Sequence, residues 1–215
     1  MKKREIVCVV GLGYIGLPTA LLLAKAGHEV IGIDVDRKKV EKLSKGELPF
    51  EETGLEKLYE KAKPNFRVTE EFSKIKDAGA VIVCVPTPMK NRKMDDKYII
   101  SAVSEVGKNL SKGTLVVIES TVTPGTTSGK IKEILEKKSK LRVGKDSYLA
   151  YCPERAIPGN TIHEMVHNDR VIGGIDGEST KKAKELYSSF VKGKIYTTDA
   201  TTAELVKVSE NTYRD

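Results

Sequence analysis

The string Gly11-Leu12-Gly13-Tyr14-Ile15-Gly16 directly follows an apolar run at 6–10 and opens a helix-periodic stretch at 17–26. Strand, G-x-G-x-x-G and helix, in that order, make a turn that can wrap a dinucleotide. Gly11 permits the tight turn, Gly13 lets the backbone approach a pyrophosphate, and Gly16 lets helix and strand pack closely. The free N–H groups and positive dipole end of the new helix then face the phosphates. A second apolar run at 30–33 ends in Asp34, about twenty residues on, where the pattern wants a carboxylate for the adenosine ribose hydroxyls. With strand, turn, helix and acid in register, the chain carries a nicotinamide-cofactor signature, a glycine-rich loop of some other α/β protein being the alternative.

Asp34 also selects the cofactor. A carboxylate beside the extra 2′-phosphate of NADP is a like-charge contact of up to ~4 kcal/mol at an effective dielectric near 20. Arg37 and the two lysines after it soften that penalty, since arginine is the usual NADP partner. NAD is the expected cofactor.

At 215 residues the chain is long enough for a substantial core, and a hydrophobic fraction of 39% with 31% charged residues is ordinary for a soluble fold. No apolar run approaches the ~18 residues of a membrane span. Met1-Lys2-Lys3-Arg4 runs straight into a strand with no room for a signal peptide, so a cytoplasmic protein with no membrane partner is expected. The net charge of +7 raises the question of an anionic partner. In the basic stretch 130–145, however, Ile131, Ile134 and Leu135 alternate with lysines as on the solvated side of an amphipathic helix. No helix-turn-helix or aromatic-basic motif supports a nucleic-acid partner. Cys8, Cys84 and Cys152 form neither a paired framework nor a metal spacing, and read as free thiols.

Apolar runs and helical patterns alternate along the chain, which predicts an α/β, Rossmann-type doubly wound parallel sheet covered on both faces. Strands are expected at about 5–10, 29–34, 66–69, 80–85, 114–119, 147–151, 170–174 and 194–197. Helices are expected at about 14–26, 36–45, 53–62, 95–110, 126–138, 178–191 and from 200 onward. The helix from 200 meets no capping glycine by Tyr213-Arg214-Asp215, which reads as the front part of a longer protein. The expected division is 1–199 as the cofactor domain and 200–215 as the start of a further helix.

In an open parallel sheet, function gathers at the carboxyl ends of strands. Those positions hold Pro86-Thr87-Pro88, Glu119-Ser120-Thr121 and Pro153-Glu154-Arg155. Ordinary turn chemistry is the alternative, because Ser, Thr and Pro favour such places. Glu154 can act as a general base, or can be a surface acid paired with Arg155. Lys207 and Asn211 lie one helical turn apart with Glu204 on the same side, which on spacing alone is a solvated face. His163-Glu164-Met165-Val166-His167 is a literal H-E-x-x-H, the zinc pattern of some metalloproteases. Its helix is squeezed between Pro158-Gly159 and the strand near Arg170, with no third histidine at the required spacing, so no metal is expected.

Taken together, Gly-Leu-Gly-Tyr-Ile-Gly-Leu-Pro, Val-Pro-Thr-Pro, Glu-Ser-Thr with Pro124-Gly125-Thr126-Thr127, and the segment from Pro153 resemble the NAD-dependent nucleotide-sugar 6-dehydrogenases, the family that includes UDP-glucose dehydrogenase. Within it, Ala150-Tyr151-Cys152-Pro153-Glu154-Arg155 and Asn168-Asp169-Arg170-Val171-Ile172-Gly173-Gly174 look most like the UDP-N-acetyl-mannosamine branch, where the UDP-glucose branch has Phe-Leu after Pro-Glu. The resemblance implies oxidation of a UDP-sugar C6 alcohol to a carboxylate by two NAD in turn, through an aldehyde and an enzyme thioester. It makes Thr121 and Glu154 the residues that place and activate the hydrolytic water. It makes Lys207 and Asn211 the stabilisers of the oxyanion at C6, with Arg155 as a further substrate contact. Gly11, Gly13, Tyr14, Ile15, Gly16, Asp34, Arg37, Pro86, Thr87 and Thr121 fall on the cofactor side. The family's Gly-Phe-Gly-Gly-Ser-Cys nucleophile segment has no counterpart here, and none of the three cysteines takes its place. The resemblance thus implies the cofactor half of a homodimeric enzyme, cut within its central helix, without the UDP-binding domain and inactive alone. A UDP-glucose enzyme portion and a stand-alone NAD-binding module are the alternatives.

Overall fold

The computed structural model describes residues 5–90, 93–157 and 159–214. In chain order the elements are β1 (Ile6–Val10), α1 (Gly16–Lys25), β2 (Glu29–Ile33), α2 (Arg37–Ser44), α3 (Leu55–Ala62), β3 (Phe66–Thr69) and β4 (Ala80–Val83). A hairpin of β5 (Met89–Lys90) and β6 (Lys93–Met94) follows, then α4 (Lys97–Asn109), β7 (Leu115–Ile118), α5 (Lys132–Ser139) and β8 (Tyr148–Tyr151). The chain continues through α6 (Thr161–His167), β9 (Arg170–Gly174), α7 (Gly177–Tyr187), β10 (Ile195–Asp199) and α8 (Ala200–Arg214).

The main sheet runs β10-β9-β8-β7-β4-β1-β2-β3. Its central strands β4 and β7 are buried along their whole length, which is why they read as continuous apolar runs rather than alternating ones. Successive residues of β1 still divide between the two faces. Val7 and Val9 join the core under α1, α3 and α7, whereas Cys8 and Val10 join the core under α4, α5 and the start of α8. Every residue of α1 except Lys25 is buried, so this helix is apolar all round, and Pro18 is tolerated in its first turn, where few N–H groups have an intrahelical partner. On the other face Ile131 and Leu135 point inward while Lys130 reaches out to Asp96 at 2.6 Å, as the amphipathic pattern anticipates.

Most strands and helices fall within a few residues of their expected bounds. The helix expected at 126–138 opens with a π-helical turn (Thr127–Ile131), and the two-residue strands β5 and β6 are too short to carry a periodic signal. The α/β, Rossmann-type doubly wound sheet stands as expected, with one strand reversed. The sheet is not parallel throughout, because β9 runs antiparallel to β8, pairing Ala150 with Gly174 and Tyr151 with Gly173. A parallel return needs a crossover that carries the chain to the opposite end of the sheet. Between β8 and β9 the only helix described is α6, about 10 Å long and packed against α1, so the chain re-enters at the end it left. Among the described residues no helix is long and apolar enough to cross a membrane.

Candidate functional site

The glycine turn is built by close approach. Gly11 has φ +91°, and a Cβ there would lie 2.5 Å from the Cys84 carbonyl oxygen. A Cβ on Gly16 would stand 1.8 Å from the Gly11 oxygen, so no other residue fits at either position. A Cβ on Gly13 would meet nothing within 4 Å, which leaves its backbone open to a ligand. Tyr14 stacks on Phe50 with ring centroids 4.4 Å apart and donates its hydroxyl to the Glu51 carbonyl, tying the loop before α3 to the turn.

Asp34 is buried at the end of β2. Its Oδ2 accepts the Leu12 N–H at 2.8 Å and the Lys39 ammonium at 2.6 Å, and its Oδ1 accepts the Asp36 N–H at 2.9 Å. Asp36 caps α2 by accepting the N–H groups of Lys38 and Lys39. With the helix starting there, Lys39 faces Asp34, whereas Arg37 projects outward to Glu41. The structure thus brings Lys39 to the site and leaves Arg37 outside it.

A single cavity of about 680 Å³ spans the carboxyl ends of the strands. It is lined by Gly11, Gly13, Tyr14, Ile15 and Asp34, by Pro86 and Thr87 after β4, by Thr121 after β7, by Glu154 after β8, and by Lys207 from α8. It opens where the strand order reverses between β1 and β4, the usual ligand position in such sheets. Ser120 fastens two of these loops together, accepting the Val85 N–H at 2.9 Å and donating to the Val85 carbonyl at 2.8 Å.

Glu119 and Cys84 in the cavity wall belong to a buried polar network whose other members sequence reading did not find. Glu119 accepts hydrogen bonds from the Thr19 hydroxyl (3.1 Å), the Cys84 thiol (2.9 Å) and the Tyr187 hydroxyl (2.5 Å). Burial nevertheless dominates and holds its pKa above the ordinary carboxyl range, against the lowering effect of Arg170. The strand-end position pointed to Glu119, but Tyr187 and Thr19 look like ordinary helix-core residues in one dimension.

Glu154 is buried rather than exposed, and its partner is Arg170 rather than the Arg155 guanidinium. Its Oε1 accepts the N–H groups of Arg155 (2.6 Å) and Ala156 (2.8 Å), and its Oε2 accepts from Arg170 at 2.5 Å. Lys207 donates to the Glu154 carbonyl at 2.6 Å. The Arg155 guanidinium instead pairs with Glu210 and donates to the Asp169 carbonyl, away from the cavity lining. Asn211, half-buried one turn beyond Lys207, does not line the cavity either. The solvated face expected around Glu204 is also corrected. Glu204 is fully buried and accepts the Gly125 N–H at 2.6 Å and the Thr127 N–H at 2.7 Å, filling the open donors where the π-helical turn begins.

Burial pushes the Cys8 and Cys152 thiols up to about 12 and raises Cys84 well above the ordinary thiol value, so none supplies a thiolate near neutral pH. In the H-E-x-x-H segment the imidazoles of His163 and His167 stack at 4.3 Å. Glu164 accepts the Ile157 N–H and the Asn160 amide, and so braces the loop before α6. Pro158 of that loop lies outside the described residues, among which no three His, Cys, Asp or Glu side chains are grouped to hold a metal.

Residues 5–191 match the model for the UDP-glucose/GDP-mannose dehydrogenase family, NAD binding domain. The UDP-N-acetyl-D-mannosamine dehydrogenase of Methanococcus vannielii is 47% identical over 219 residues, covering 100% of this chain and 49% of the relative. The solved UDP-D-ManNAc dehydrogenase of Pyrococcus horikoshii superposes with a TM-score of 0.94 at 41% identity, over 97% of this chain and 50% of that one. NDP-N-acetyl-D-galactosaminuronic acid dehydrogenase of Methanosarcina mazei Go1 gives the same TM-score of 0.94 and 41% identity, over 99% of this chain and 48% of its own. The chain spans about half the length of the curated relatives it matches.

Proposed function

The chain belongs to the NAD-binding domain of the UDP-glucose/GDP-mannose dehydrogenase family, and from that premise we propose that it is the cofactor-binding portion of a UDP-N-acetyl-D-mannosamine 6-dehydrogenase. One observation carries the reading: the cavity lined by the glycine turn and Asp34 is also lined by Thr121, Glu154 and Lys207. Cofactor and reacting sugar therefore share one space.

The residues present fit NAD. Gly13 leaves the backbone open for a pyrophosphate, and Gly11, Tyr14, Ile15 and Gly16 shape the turn around it. Asp34 meets the adenosine ribose, with Lys39 beside it, and Pro86 and Thr87 wall the space. When bound, NAD supplies the hydride acceptor.

Lys207 provides a cation in the cavity wall, suited to stabilising negative charge that develops on the sugar C6 oxygen. Asn211 lies one turn beyond Lys207 on the same helix, outside the cavity lining, and its part in the proposed site rests on the family resemblance. Arg155 is left out of that set, because Glu210 engages its guanidinium. A carboxylate offers about four acceptor sites. On Glu154 the N–H groups of Arg155 and Ala156 and the Arg170 guanidinium occupy three of them. The remaining one, with the Thr121 hydroxyl, places a water against the oxidised sugar.

A thioester step needs a thiolate. Cys8, Cys84 and Cys152 do not provide one, so complete turnover draws on a group outside these residues. On this reading 1–199 is the cofactor domain and the helix from 200 links it to a second part. That helix also carries a homodimer contact, with Leu205 at 53% exposure on its open side. The free thiols suit a reducing, cytoplasmic setting.

The test is titration of the purified chain with NAD by calorimetry, then incubation with NAD and either UDP-N-acetyl-D-mannosamine or UDP-glucose while NADH absorbance is followed. Saturable NAD binding without NADH is expected. Absence of NAD binding sinks the functional reading, and sustained NADH sinks the argument about the thiolate.

A further inference from the structure

Arg170 is the first residue of β9, yet it stands at the carboxyl end of β8, beside the cavity. The antiparallel register explains this. Each step forward from Tyr151 is a step back from Gly173, so the pairing, continued past the strand ends, sets Glu154 opposite Arg170. Had β9 run parallel to β8, its first residue would lie at the far end of the sheet.

We propose that Arg170 is a positioning residue that acts through Glu154 to hold the Lys207 ammonium at the cavity wall; the role rests on the reading of Lys207 given above. Arg170 is buried, and its Nη2 donates to Glu154 Oε2 at 2.5 Å and to the Met165 carbonyl at 3.2 Å. Its Nη1 points to Cys152 Sγ at 3.9 Å. The guanidinium carbon lies 5.4 Å from the centre of the Tyr187 ring and 5.7 Å from that of Phe190. A planar, forked cation fits such a seat, and the compact ammonium of lysine does not.

The clamp reaches Lys207 by a short path. Glu154 Oε1 turns back on its own backbone to take the N–H groups of Arg155 and Ala156. Fixing the carboxylate therefore fixes the peptide that follows it, and the carbonyl of that peptide accepts the Lys207 ammonium at 2.6 Å. Lys207 sits on α8 and Arg170 on β9, and Glu154 contacts both.

The experiment is acetic anhydride labelling of the folded chain, with the rate at each lysine read by mass spectrometry. Arg170→Lys keeps the charge but loses the fork. It should raise the Lys207 rate about tenfold, the low end of what a hydrogen bond to a charged group contributes. The exposed lysines Lys108 and Lys184 should keep their rates, which separates release of Lys207 from general loosening. Glu154→Gln, which keeps an acceptor for the backbone but loses the ionic partner, should release Lys207 as well and serves if Arg170→Lys does not fold. Tyr187→Phe weakens the network at Glu119 but keeps the ring under Arg170, and should leave Lys207 protected. An unchanged Lys207 rate in a folded Arg170→Lys or Glu154→Gln chain overturns the proposal, as does release in Tyr187→Phe. Labelling needs no turnover, so its result stands apart from the NAD and NADH measurements that test the functional reading.

Discussion

Asp34 accepts the backbone N–H of Leu12 at 2.8 Å, so the acid that closes β2 also holds the second residue of the glycine turn. The carboxylate proposed to meet the ribose thus doubles as a brace for the glycine turn. Asp34→Ala removes that bond together with the Lys39 and Asp36 contacts. It should destabilise the chain by ~1.5–3 kcal/mol, the range for a buried hydrogen bond to a charged group, read by urea unfolding. It should also weaken NAD binding and narrow the preference for NAD over NADP. Equal NAD and NADP dissociation constants before and after the change would remove Asp34 from the specificity argument.

Glu204 joins α8 to the π-helical turn before α5, and two backbone donors depend on it. Glu204→Ala leaves both donors buried without that acceptor, at a cost of about 2 kcal/mol. For a chain of this size the melting temperature should fall by ~4–8 °C. Glu204→Gln should recover part of the loss, because its amide oxygen still accepts one N–H. A Glu204→Ala melt that matches the parent chain contradicts this role.

The raised pKa of Glu119 has a definite sign in stability. A carboxyl whose folded value lies above its unfolded value binds its proton more tightly in the native state. Its contribution is therefore complete below the unfolded value of ~4.3 and is lost as pH rises through the folded one. Compared with Glu119→Gln, which does not titrate, the parent should be relatively most stable near pH ~4 and relatively least stable near pH ~8. Thermal melts of both chains across that range decide it. The opposite slope would mean that the three donors and Arg170 outweigh burial.

The thiols make a simpler case. With Cys8 and Cys152 pushed up to about 12 and Cys84 raised as well, alkylation by iodoacetamide at neutral pH should be negligible in the native chain. All three should react after denaturation, since all are free. Rapid native alkylation of Cys84, the one that lines the cavity, would reopen the question of a nucleophile within this chain.

Local patterns carried much of this protein. The turn at Gly11, Gly13 and Gly16 is legible because its demands are steric and sequential: each glycine meets a nearby backbone or leaves room for a ligand at a fixed offset. The apolar runs of β1, β4 and β7 are equally legible, because burial on both faces removes every polar residue from the run. Thr121 and Glu154 could be singled out by their strand ends, whereas spacing alone made Lys207 a solvated face and only the family resemblance pointed to it; all three line one cavity. The same reasoning named Arg37 with the two lysines after it; α2 turns Lys39 to Asp34 and Arg37 to Glu41, because its register depends on where Asp36 caps it. It also left Glu204 in solvent, because a buried acid and an exposed one look alike until its acceptor role is seen.

The sequence by itself determined the order of strands and helices, the dinucleotide turn and the acid that closes it. All of these follow from interactions between residues close in the chain or from a burial pattern repeated along it. Only the tertiary structure decided that β9 returns antiparallel to β8, and with it that Arg170 meets Glu154 and that Lys207 is anchored on the same segment. A strand's composition records how deeply it is buried and not which way it runs. Direction is set by how far the intervening segment can carry the chain, and that becomes definite only when α6 has packed against α1.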